Sequence, residues 1–164
     1  RGMRSVVSFA VAVFAFVGCT SEPAEQATVT PTDAYTAIVR WEIEQTDPVV
    51  DADGNVEAPV IYLVAGSGGT IDVRVQAKVV SNIGDAAVIL FADHASDARD
   101  DELETAPVKD DGVMILIDEF EPGQVTVQAR IVRYQSIGDD NAWILEVITT
   151  DEGATVSSAT PATE

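Results

Sequence analysis

The sequence predicts an α+β fold, a mixed sheet of about five strands with two main helices packed on it. Three observations carry this reading. Residues 60–65 (VIYLVA), 86–91 (AAVILF) and 112–118 (GVMILID) are continuous apolar runs, the mark of strands buried on both faces. Residues 125–134 and 143–147 instead alternate apolar with polar, as strands with one wet face do. Residues 31–45 and 70–83 are longer, and both carry helix punctuation at their ends.

In residues 31–45, Tyr35, Ala37, Val39, Trp41 and Ile43 alternate like a strand, while Ala34, Ala37, Ile38 and Trp41 form a helical stripe. The flanks favour the helix: Thr30 as N-cap, Pro31 at the first helical position, Asp33 where it can bond back to the cap, and Asp47-Pro48 as a stop. Residues 70–83 (TIDVRVQAKVVSNI) are the harder case. Their alternation and β-branched content suit a strand, and if they form one an all-β sandwich is the better fold class. A helix is preferred because Val73, Ala77, Val80 and Ile83 share a face, Thr70 can cap the start, Gly84 stands at the end, and the segment is long for a strand. Between the apolar runs on either side, that helix makes a parallel βαβ unit. Glu121-Pro122-Gly123-Gln124 and Asp139-Asp140-Asn141 read as turns around the two alternating strands.

The amino-terminal region carries the clearest functional signal. Arg4 precedes an uncharged, mostly apolar stretch, residues 5–17 (SVVSFAVAVFAFV), which ends at Gly18-Cys19. As a helix it spans about 20 Å, short of the roughly 30 Å hydrocarbon layer, so it reads as an export signal rather than a span. Phe16-Val17-Gly18-Cys19 resembles the lipobox of bacterial lipoproteins, with Phe16 standing where that motif usually has an aliphatic residue. The resemblance covers only these first residues. It implies cleavage after Gly18, acyl chains such as palmitate on Cys19, and an extracytoplasmic domain held on a membrane of the cell envelope. Cys19 is also the single cysteine, which leaves no intrachain disulfide to form. The expected organisation is a signal peptide over 1–18, lipidated Cys19 and a flexible tether over 19–30, one globular domain over 31–150, and a disordered tail over 151–164.

Composition bounds what that domain does. The net charge is −19, and without Arg1 and Arg4 the exported chain sets 28 acids against 7 bases. Such a protein repels nucleic acid and anionic lipid headgroups, so neither is expected as a partner. His94 is the only histidine, no Gly-x-Ser-x-Gly elbow is present, and a lipidated Cys19 is no nucleophile. Gly66-Ser67-Gly68-Gly69 follows an apolar run, yet Thr70-Ile71 stands where a phosphate loop needs Lys-Ser/Thr, and the dinucleotide fingerprint lacks its third glycine.

Two acidic segments suggest calcium. Asp51, Asp53 and Asn55 alternate around Gly54, as a calcium loop does, but placing Asp53 fifth puts Val49 first and Val60 twelfth in the EF-hand register. Residues 93–111 hold eight acids, with Asp93 and Asp97 the first of them, and a loop of this length is a natural place for function. Trp41 and Trp143 fall on apolar stripes and are expected in the core. Arg130, Arg133 and Tyr134 form either a recognition spot or pairs with nearby acids. No catalytic set and no resident cofactor is assigned. The function expected is a membrane-anchored, non-catalytic binding or accessory domain for a protein or small-molecule partner. A calcium-dependent module and a small carboxylate-based hydrolase are the alternatives.

Overall fold

The computed structural model describes residues 27–50, 53–118 and 120–162. In chain order these form helix α1 (Pro31–Gln45), a short hairpin of β1 (Val49–Val50) and β2 (Val56–Glu57), strand β3 (Val60–Ala65), helix α2 (Val73–Ile83), strand β4 (Val88–Ala92) and the one-turn helix α3 (Ala95–Ala98). Strand β5 (Val113–Ile117) follows, and then a meander of β6 (Thr126–Ser136), β7 (Asp139–Thr150) and β8 (Gly153–Pro161). The main sheet has six strands in the order β4-β3-β5-β6-β7-β8. β3 is parallel to both β4 and β5, and the remaining pairs are antiparallel. The fold is α+β, as predicted.

Both ambiguous segments are helices. Thr30 caps α1 through a reciprocal box: the Asp33 N–H donates to Thr30 Oγ1 at 3.2 Å, and the Thr30 N–H donates to Asp33 Oδ2 at 3.0 Å. In α2 the cap is Asp72 rather than Thr70, its Oδ1 accepting from the Arg74 N–H at 2.8 Å, and Gly84 ends the helix at φ +59°. The buried face of α2 also differs from the expected one. Ile71, Val79 and Ile83 are buried with Val75 beside them, whereas Val73, Ala77 and Val80 face outward. Either set of positions makes a helical stripe, and the choice between them depends on how the helix is set on the sheet.

Helices α1 and α2 cover one face of the sheet. There Ile38, Val39, Val79 and Ile83 meet Ile61, Leu63, Ile115, Ile117, Ala129, Ile131 and Leu145. On the opposite face, Tyr62 and Val64 of β3 and Met114 of β5 pack with Tyr134 against Ala98 and Val108 from the 93–111 segment. That third layer is why β3, β4 and β5 read as continuous apolar runs. It reaches only the end of β6, at Tyr134, and leaves the rest of β6 and β7 with a largely wet reverse face and sequences that alternate accordingly.

Three boundary expectations are corrected. Val29, placed in the tether, is fully buried, and it exchanges backbone hydrogen bonds with Gln124 (2.8 Å) and Gly123 (2.9 Å). The tail expected to be disordered forms β8 over Gly153–Pro161, paired along β7, with Ala154 buried under α1. Its Ser, Thr and Ala content resembles a linker, but β7 carries Leu145 and Val147 on the helix-covered face and bonds an outer neighbour there. The turn placed at 139–141 is made instead by Ile137 and Gly138, the glycine at φ +83°, and Asp139 to Asn141 begin β7.

Candidate functional site

The chain leaves β3 for α2 and β4 on one side and returns to β5 on the other. The segments that follow β3 and β5 therefore diverge, and a crevice opens beyond the carboxyl ends of the two strands. This is where open sheets of this kind bind ligands. The crevice has a volume of about 390 Å³. Tyr35 from α1, Ile71 just before α2, Val75 within it, Ile117 from β5 and Phe120 just after that strand supply apolar walls. Thr70, Asp72 and Asp118 supply polar groups.

Local structure fixes each of these groups. The Tyr35 and Phe120 rings meet edge to face at 5.6 Å and 64°, the arrangement their quadrupoles prefer. Burial pushes the Tyr35 hydroxyl above its ordinary 10.0. The Asp118 N–H donates to the Arg130 carbonyl at 2.9 Å, which prolongs the β5–β6 ladder, and Arg130 Nη1 donates to Asp118 Oδ2 at 3.1 Å. Gly66, at the end of β3, lets this carboxylate approach. A Cβ there would stand 2.7 Å from Asp118 Oδ1 and 3.0 Å from the Ile117 carbonyl oxygen.

A second groove of about 550 Å³ runs between α1 and the β7–β8 turn, past Arg40, Trp41, Glu44, Asp151 and Glu152. Its four charged residues are all exposed and of both signs, so they keep their water. The crevice, with an apolar body and few polar groups, is the better-formed site.

The residues singled out from the sequence are spread over several loops. Cys19 and Asp51 lie outside the described residues. Asp53 and Asn55 are exposed in the β1–β2 turn, around Gly54 at φ +85°. Asp93 and Asp97 lie elsewhere, beyond β4, Asp93 just before α3 and Asp97 within it, where Asp97 Oδ2 accepts from the His94 N–H at 3.1 Å and the Asp97 carbonyl accepts from Lys109 Nζ at 2.8 Å. Among the described residues, no group of three or more His, Cys, Asp and Glu is placed to hold a metal ion.

The 93–111 segment packs as the third layer. Ala98, Ala106 and Val108 are buried. Asp110 Oδ2 accepts from the Tyr62 hydroxyl at 2.7 Å, the Ala106 carbonyl accepts from the Tyr134 hydroxyl at 2.8 Å, and Arg99 lies over the Tyr134 ring at 5.5 Å. Its length reflects the sheet face it covers. Of the two readings left open for the basic residues, pairing holds: Arg130 bonds Asp118, and Arg133 Nε donates to the buried Glu42 at 2.8 Å. Trp41 and Trp143 pack edge to face at 5.8 Å against the core, as expected.

Sequence reasoning missed the crevice. The strand–glycine–helix junction at Gly66 was legible as a connection. Tyr35 and Phe120 are 85 positions apart, however, and only the tertiary fold joins them. No family model matches the chain, and neither curated proteins nor solved structures give a match. Among the described residues no helix is long and apolar enough to cross a membrane.

Proposed function

We propose that this chain is an extracytoplasmic lipoprotein, anchored through Cys19, whose acidic domain holds a small ligand in the crevice beyond β3 and β5 without transforming it. The observation that carries the binding half is the crevice itself, an aromatic and aliphatic concavity with a few fixed polar groups at the point where the sheet order reverses. The short apolar leader ending at Gly18-Cys19 supports the anchoring half. The non-catalytic reading is supported by the work its carboxylates already do: Asp72 caps α2 and Asp118 pairs with Arg130.

Mass spectrometry under non-denaturing conditions, on the full chain extracted from membranes, tests both halves. The expected result is acylated Cys19 and a small molecule carried by the parent protein but lost from Thr70→Trp, which fills the crevice from its exposed rim. An unmodified Cys19 would overturn the anchoring. A carried molecule retained equally by both proteins, or found in neither, would overturn the site.

A further inference from the structure

We infer that the crevice takes a small organic cation, an ammonium group joined to an aromatic or aliphatic body; this rests on the pocket reading above. The charged residues lining it are Asp72 and Asp118, and no Lys, Arg or His joins them among the described lining residues. Each carboxylate has one oxygen committed. Asp72 Oδ1 accepts from the Arg74 N–H at 2.8 Å, and Asp118 Oδ2 accepts from Arg130 Nη1 at 3.1 Å. The second oxygen of each has no donor among the described residues, and Asp118 Oδ1 lies directly over Gly66.

The first turn of α2 is the one feature there that favours an anion, and its own Asp72 carboxylate already occupies that position. Arg130 does not line the crevice, and its pair with Asp118 is exposed on both sides (47% and 43%). An exposed pair of this kind is weak and competes little with an ammonium arriving from the crevice. Tyr35 and Phe120 line the crevice, so aromatic surface, which attracts a cation as well as an apolar body, forms part of its wall. An ammonium is a compact charge with three donors, and a carboxylate oxygen together with a few neighbouring acceptors satisfies it. A bare divalent ion takes about six or more oxygens, which apolar walls do not supply. Beyond the site, the −19 net charge draws cations toward the surface and repels anions.

The test is amide chemical-shift titration of the full chain in a non-ionic detergent with three probes of one shape: 2-phenylethylamine, 2-phenylethanol and 3-phenylpropionate. The amine should shift the amides of Gly66, Thr70, Ile71 and Phe120 with an affinity about tenfold or more above the alcohol's, and the carboxylate should leave them unmoved. Raising the salt concentration should weaken the amine and spare the alcohol, a readout that needs no variant. Asp118→Asn keeps an oxygen for Arg130 and should bring the amine close to the alcohol. Equal binding of amine and alcohol, or preference for the carboxylate, would overturn the cation assignment while leaving the pocket in place. Unmoved crevice amides with all three probes would overturn the pocket reading, and the cation with it.

Discussion

Glu42, on the inner face of α1, is fully buried, and its only charged partner among the described residues is Arg133, 17% exposed, at 2.8 Å. Its Oε1 also accepts from the Thr46 hydroxyl at 3.0 Å, while Oε2 is buried with no partner among the described residues. Arg133→Met keeps the aliphatic stem and removes the guanidinium, which leaves a dry carboxylate with one neutral donor. Breaking one side of such a pair costs about 3–5 kcal/mol. The partial exposure of Arg133 admits some water in its place, so the expected loss lies near the lower end, about 3 kcal/mol. That is a large share of the roughly 5–15 kcal/mol that holds a domain together.

Trp41 stands next to Glu42, and its ring contacts Trp143 of β7. Indole fluorescence during urea unfolding therefore reads the affected region directly. The double variant Glu42→Leu/Arg133→Met removes both charges and should recover most of the loss, because apolar replacement of a buried pair is often neutral or stabilising. The reasoning is refuted if Arg133→Met alone lies within about 1 kcal/mol of the parent, or if the double variant is no more stable than Arg133→Met.

Two further outcomes follow from the structure. Burial and the Asp110 carboxylate push the Tyr62 hydroxyl from its ordinary 10.0 up to about 12. The folded state thus holds that proton more tightly than the unfolded chain does. The stabilisation is complete below pH 10 and is lost as pH rises toward 12, a difference on the order of 2–3 kcal/mol. Urea midpoints of the parent should fall more steeply than those of Tyr62→Phe across this window, and parallel slopes would count against the assignment. Gly66→Ala brings a methyl group to within 2.7 Å of Asp118 Oδ1 and 3.0 Å of a backbone oxygen, and should cost about 1–3 kcal/mol by thermal melting. A variant as stable as the parent would show that the two strands part there without strain.

Much of the architecture was legible because it depends on neighbours in the chain. Thr30, Pro31 and Asp33 write the start of α1 within four residues, and the capping box forms as those residue types dictate. The alternation in β6 and β7 marked one wet face, and the unbroken runs in β3, β4 and β5 marked strands covered on both sides. The 93–111 segment was harder to place. Its acids suggested a loop for ligands, yet its buried Ala98 and Val108 are what the sheet needed beneath Tyr62 and Met114.

The residues by themselves determined an acidic composition, an α+β pattern of elements, and a short apolar stretch that ends at a solitary cysteine, since charge, periodicity and capping are local properties of the chain. Tertiary structure decided which stripe of α2 turns inward, that a Ser/Thr/Ala-rich carboxyl-terminal segment becomes an edge strand, and that Tyr35 and Phe120 meet over the end of β5. Each of those outcomes depends on surfaces contributed by residues remote in sequence. Two helical stripes, or a linker and a strand, are nearly equal in intrinsic preference until the remainder of the sheet is there to bury one of them.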